Sequence, residues 1–188
     1  YVIEGYVKNK TYTKLESVGI TFTIYNKNGK KLSQTSKYID YMDARGQWKV
    51  KAKFYVGKNA NVASYKTTVS GRYFTRSRYN PNITAKVKKL KKDGNRYSTT
   101  VKYTNKNNAK LTSMYATYAF YDKKGNIVKT YFDGWRANYV SSTTGKKVKG
   151  ELGNGLKKNK SFTATNTVIS IDYDIASCKI AEAHGYDL

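Results

Sequence analysis

The sequence predicts an all-β chain of two tandem antiparallel β-sandwich domains, and three observations predict it. Apolar residues recur at every second position through long stretches, as in Trp48-Lys-Val50-Lys-Ala52-Lys-Phe54. That is the period of a strand with one buried face. Tyrosine occurs 19 times and proline once, with threonine scattered through the alternating runs, a composition that favours sheet over helix. The chain also repeats itself: Phe22-Thr-Ile24-Tyr25-Asn26-Lys-Asn-Gly29 returns 96 residues later as Tyr118-Ala-Phe120-Tyr121-Asp122-Lys-Lys-Gly125. When 9–29 is laid over 105–125, nine of 21 positions are identical, among them Asn9/Asn105, Leu15/Leu111 and Ser17/Ser113. Such a period is too long for a solenoid repeat and fits one sandwich domain.

In the first copy Ile3, Gly5 and Val7 alternate with polar neighbours and predict a strand, followed by a loop over 9–14. Val18, Ile20, Phe22 and Ile24 form the apolar face of the next strand, with Gly19, Thr21 and Thr23 facing away. Asn26 suits the first position of a tight turn, where its carboxamide accepts a backbone N–H two residues on, and Gly29 supplies the left-handed conformation that closes the hairpin. The run 31–36 then pairs back antiparallel. Trp48, Val50, Ala52 and Phe54 face inward while Lys49, Lys51 and Lys53 make an outward ladder, and 62–69 forms a further strand.

The pattern breaks over 71–84, and Asn80-Pro81-Asn82 is the expected linker, which divides the chain into domains at 1–79 and 80–188. The second copy opens with a strand through Ile83, Ala85 and Val87, a turn at 92–95, and a strand through Tyr97, Thr99, Val101 and Tyr103. Tyr97 falls where Tyr1 stands in the first copy. The first copy is therefore expected to lack its opening strand, and the chain to be a fragment of a longer one. The second central hairpin covers 114–121 and 127–132, and a Gly/Ser/Thr-rich insertion covers 133–155. Strands at 161–164 and 168–175 are expected to finish the sheet, with Ile169, Ile171, Tyr173 and Ile175 on one face.

The pairs Phe22-x-Ile24-Tyr25-Asn26 and Tyr118-x-Phe120-Tyr121-Asp122 resemble the signature of the FxLYD domain, a family of exported bacterial and archaeal proteins. Ile and Phe replace its leucine, Asn its aspartate in the first copy, and Tyr its phenylalanine in the second. The resemblance covers about a fifth of the chain. It implies immunoglobulin-like sandwiches, an extracellular setting and no known catalytic residues; anchoring to a bacterial surface by a segment outside this chain is a further expectation.

The formal net charge is +24, carried mostly by lysine. Such an imbalance attracts polyanions, and lysine in place of the arginine fork points to diffuse attraction and away from base reading. The expected partners are anionic polysaccharide, a teichoic-acid-type polymer or a protein, with single-stranded nucleic acid as the alternative. A structural spacer with incidental charge is the third reading. The expected contacts are the ladder Lys49, Lys51 and Lys53, the cluster Arg72, Tyr73, Arg76, Arg78 and Tyr79, and the insertion residues Trp135, Arg136 and Tyr139.

Cations interleaved with rings suit anions and sugar or base rings. The plainer readings are a strand end for 72–79 and a core position for Trp135. Cys178 is the only cysteine and His184 the only histidine, so neither has the partners of a nucleophilic or metal site. Asp172 and Asp174 lie about 7 Å apart on one strand face, which a solvated surface explains more simply than calcium. The chain has no G-x-S-x-G elbow or phosphate loop, and no paired carboxylates point to a glycosidase. No enzyme and no cofactor or metal is expected, and no run of 18 apolar residues predicts a membrane span.

Overall fold

In the computed structural model, which describes residues 1–73 and 82–187, the described chain is all-β, with thirteen strands and no helix. It divides into two compact units, one of Tyr1–Phe74 with Lys124–Lys129 and one of Thr75–Lys123 with Thr130–Leu188.

In the first unit, β1 (Val2–Lys8) is followed by β2 (Leu15–Asn26), β3 (Lys31–Ile39), β4 (Gln47–Lys53) and β5 (Val62–Tyr73). β1 pairs antiparallel with β4, and β2 lies between β3 and β5. The alternation sets the faces as expected. Val18, Ile20, Phe22 and Ile24 of β2 and Trp48, Val50 and Ala52 of β4 are buried, so two apolar faces supply a sandwich-like core. The β2–β3 turn also follows its residues. Asn26 Oδ1 accepts the N–H groups of Asn28 and Lys30 at 3.0 and 2.9 Å, and Gly29 has φ +74°.

In the second unit, β6 (Ile83–Asp93) hairpins into β7 (Arg96–Asn105), and β8 (Ser113–Tyr121) is followed by β9 (Ile127–Arg136), which belongs to this unit from Thr130 on. A small hairpin of β10 (Tyr139–Val140) and β11 (Lys147–Val148) precedes β12 (Ser161–Ile169) and β13 (Ser177–Tyr186). β7 lies between β12 and β6, and β8 between β9 and β13.

The two halves share one wiring. β3-β2-β5 corresponds to β9-β8-β13, and β4-β1 to β12-β7, with β6 left over. Side chains match in detail. Asn9 Nδ2 donates to the carbonyls of Thr13 and Asp43, and its Oδ1 accepts the N–H of Thr11. Asn105 Nδ2 donates to Ala109 and Leu156, and its Oδ1 accepts the N–H of Asn107. Leu15 bridges Met42 as Leu111 bridges Leu156. Non-glycine residues of positive φ, Arg45 at 58° and Asn159 at 60°, fall in the turns that follow these bridges.

A second pair is exchanged between the copies. Gly19 lies beneath the Tyr38 ring, whereas at the corresponding places Gly134 lies beneath the Tyr115 ring, where a Cβ would meet ring carbons at 2.6 and 2.7 Å. A tyrosine laid over a cross-strand glycine covers backbone that the glycine leaves bare. We expect Gly134→Ala to displace Tyr115 and cost roughly 1–3 kcal/mol. Pairing Gly134→Tyr with Tyr115→Gly should recover part of that loss, measured by thermal unfolding. No recovery would show that the two copies do not use the pair alike.

Three expectations need correction. β9 runs on to Arg136, so the residues inserted relative to the first copy begin after Ala137, where β10 and β11 lie. The alternation of Ile169, Ile171, Tyr173 and Ile175 does not continue the strand. β12 ends at Ile169, where the Ser170 hydroxyl turns back to the Tyr173 carbonyl, and Ile171 is 76% exposed. The closing strand is β13, which the expected strands omit. The expected linker residues Asn80 and Pro81 lie outside the described residues.

Candidate polyanion-binding face

The outward face of β12-β7-β6 is where cations gather. Strand alternation sends Tyr97, Thr99, Val101 and Tyr103 of β7 inward, where they are buried, and Arg96, Ser98, Thr100, Lys102 and Thr104 outward. The register then lays out rows across the sheet. Lys86 faces Lys102 and Thr163, Lys89 faces Thr100 and Thr165, Lys91 faces Ser98 and Thr167, and Asp93 faces Arg96 and Ile169. A bulge between Val87 and Lys89 adds Lys88. All these cations are exposed.

Neighbouring strands stand about 4.8 Å apart and successive outward residues about 7 Å, so the positive charge forms a grid. Between the cations runs a ladder of hydroxyls. Ser98 meets Thr167 at 3.1 Å, Thr100 meets Thr165 at 3.0 Å and Thr104 meets Ser161 at 2.9 Å. Asp93 is the one carboxylate on this face among the described residues, at its end. The Lys92–Asp174 ion pair, 2.5 Å long, belongs to the inward side. There the hydrogen bond from Lys92, then that from Tyr97, holds the Asp174 carboxyl below its ordinary value, and the same contact raises Lys92.

The residues expected from sequence scatter. Lys49, Lys51 and Lys53 point outward from β4, but Glu4, across from Lys51 on β1, lies 2.7 Å from Lys49 and 3.8 Å from Lys51. Lys49 and Lys51 are thus answered internally. Arg72 is exposed near the end of β5, opposite Glu16 of β2. Tyr73 ends that strand, and Arg76, Arg78 and Tyr79 lie outside the described residues.

Trp135 is a correction. It is 6% exposed, with its ring 5.2 Å from Tyr103 and 5.5 Å from Phe162, so it takes the core position. Arg136 and Tyr139 do share a shallow cleft of about 460 Å³ with Tyr115, Asn138 and Tyr186. The grid residues Lys86, Lys89, Lys91, Arg96 and Lys102 were not among the expected contacts. Their signal was the alternation of Lys86, Lys89 and Lys91 interrupted by the bulge.

No protein-family model, curated protein or solved structure matches the chain.

Of the remaining reactive side chains, His184 is buried and Cys178 is half-buried. His184 is buried beneath Tyr115, 5.5 Å between rings, with Nδ1 3.4 Å from Glu182. Among the described residues, no three of His, Cys, Asp and Glu are placed to hold a metal, and no helix is long and apolar enough to cross a membrane. Burial pushes the Cys178 thiol up to about 12, so at pH 8 a disulfide reagent should modify it far more slowly than in the unfolded chain. Equal rates would place the thiol in solvent.

A buried hydroxyl relay crosses the core, from Tyr103 to Tyr118 at 2.7 Å, while Asn166 Nδ2 donates to the same Tyr118 oxygen. Burial raises Tyr103, and raises Tyr118 to about 12. The unfolded chain gives up these protons first. The stability they contribute is therefore complete below the ordinary tyrosine value near 10 and is lost as pH climbs through about 12. Ultraviolet titration should show these two rings ionising after the exposed tyrosines, in step with unfolding. Their ionisation together with the exposed rings would contradict the relay.

Proposed function

We propose that this chain is a non-catalytic extracellular binding module that holds an anionic polymer of the bacterial envelope or a host surface against the β12-β7-β6 face. It does so as tandem FxLYD-type, immunoglobulin-like sandwich domains. The observation that carries the reading is Lys86 set directly opposite Lys102 within a grid holding one carboxylate. Like charges opposed across a ladder destabilise a sheet, so the fold alone gains nothing from them. Phosphate, sulfate or carboxylate groups laid over the rows would turn that repulsion into attraction.

Among the described residues the face carries no aromatic ring, whereas binders of single-stranded nucleic acid draw much of their affinity from stacking bases on rings. This favours teichoic-acid-type or sulfated polysaccharide. The shared wiring of the two halves and their matched asparagines support the tandem arrangement. Titration with heparin and with teichoic acid should show affinity falling steeply between about 0.05 and 0.2 M salt. A flat salt response, or an oligonucleotide winning competition at equal charge, would sink the proposal.

A further inference from the structure

The first unit joins β3 to β4 through residues 40–46, whereas the second joins β9 to β12 through residues 137–160. The longer connection is braced against its own unit. The Ala137 N–H donates to the Thr112 carbonyl at 2.7 Å, that of Asn138 to Gly153 at 2.7 Å and that of Leu152 to Arg136 at 3.0 Å. The Asn138 carboxamide oxygen accepts the Gly150 N–H at 3.0 Å. Gly150 passes so close to β9 that a Cβ there would collide with the Arg136 and Ala137 carbonyl oxygens. Only glycine lets the two backbones meet.

This frame holds Arg136 and Tyr139 with their side chains exposed, Tyr139 at 44%. The cleft of about 460 Å³ that they share adjoins a second of about 500 Å³, lined by Val140, Lys147, Val148 and Lys149. Asn138 and Tyr139 line both. Among the described residues the charges on these walls are Arg136, Lys147 and Lys149, and no carboxylate lines either cleft. An exposed ring thus stands among cations in a concave, rigidly held place, which is how loops on a sandwich present a ligand site.

We propose that Tyr139 and Arg136 form a subsite for one uronate residue, a pyranose bearing a carboxylate, within an anionic polysaccharide. The subsite rests on the polysaccharide reading above and adds to it a contact that selects the sugar. The C–H face of the pyranose lies on the Tyr139 ring, a rigid contact surface that loses little rotamer freedom. The carboxylate is planar and projects from the edge of the pyranose, so the Arg136 fork holds it through two parallel hydrogen bonds. Ser113 and Tyr115, which line the first cleft, offer hydroxyls to those of the sugar. Lys147 and Lys149 in the second cleft attract the next uronate along the polymer. Because the frame is formed before the sugar arrives, little binding energy is lost in ordering it.

The probe is trigalacturonate, titrated into the whole chain at about 0.15 M salt, where diffuse attraction is screened, and followed by backbone amide NMR. Shifts should gather at 136–149, and maltotriose, an uncharged trisaccharide of the same linkage position, should produce none. Tyr139→Ala and Arg136→Gln each alter an exposed side chain, so the fold should persist. Each should weaken trigalacturonate binding by about tenfold or more. Lys86→Gln, Lys89→Gln, Lys91→Gln and Lys102→Gln together should weaken it less than about threefold, through the long-range field alone.

No shifts, shifts confined to β6, β7 and β12, or equal binding of maltotriose would overturn the subsite. So would full affinity in Tyr139→Ala. Inorganic tripolyphosphate competing as well as trigalacturonate would mark a plain anion site and would equally overturn it. The polysaccharide reading fails separately. Trigalacturonate held while heparin and teichoic acid go unbound would sink that reading and support the subsite, and the reverse would sink the subsite alone.

Discussion

Asn105→Ala should lower the melting temperature of the second unit more than any other single polar substitution on its surface or in its loops. The side chain is fully buried, and it satisfies the carbonyls of Ala109 and Leu156 while accepting the backbone and side-chain N–H groups of Asn107. Truncation strands two carbonyls and an amide away from water, at a cost of roughly 2–4 kcal/mol. For a unit of this size that is on the order of 10–20 °C. Asn105→Asp should be no milder, because it keeps the acceptor but turns a carboxylate toward two carbonyl oxygens. Each unit holds one buried tryptophan, Trp48 or Trp135. A Trp48→Phe background therefore isolates the fluorescence of the second unit, while Asn9→Ala followed through Trp48 tests the matching loop. A melting temperature unchanged by Asn105→Ala would mean that this loop is held by something other than its asparagine.

The same pair of asparagines marks how far the sequence could be read. Their 96-residue spacing was plain as an identity, but their work was not, since each Nδ2 closes onto one carbonyl four residues away and another 34 or 51 away. Strands of clean alternation, such as β2 and β4, announced their buried faces. β13 did not, because a bulge between Ile180 and Glu182 reverses the phase halfway along, so the apolar positions no longer fall on one parity. The opposite failure occurred at 169–175, where residues of perfect alternation leave the sheet after Ile169. Period alone cannot say whether a neighbouring strand is there to receive them. Trp135 sits beside glycine in a stretch rich in small polar residues, and only packing against Tyr103 and Phe162 shows it to be core. The cationic grid was the least legible feature. Lys102 is a single lysine in its strand and becomes part of a patch only when the register sets it across from Lys86.

That dependence on register makes the grid testable by substitutions with opposed effects on stability and binding. Lys86→Gln, Lys89→Gln, Lys91→Gln and Lys102→Gln together should reduce heparin and teichoic-acid affinity about 100-fold or more, taking about 1 kcal/mol for each lysine near a densely anionic surface. The salt dependence should flatten in proportion to the charges removed. Stability should hold or rise by a few tenths of a kcal/mol, because the Lys86–Lys102 opposition is relieved. The matched control removes four lysines elsewhere: Lys27→Gln, Lys49→Gln, Lys51→Gln and Lys123→Gln. Net charge changes equally, but Lys49 and Lys51 already answer Glu4, and Lys27 and Lys123 lie in separate turns. That variant should lose no more than about tenfold, from the weakened long-range field alone. Equal losses in the two variants would mean that the polymer responds to net charge and not to a face. A grid variant that lost stability along with affinity would mean that the lysines serve the fold.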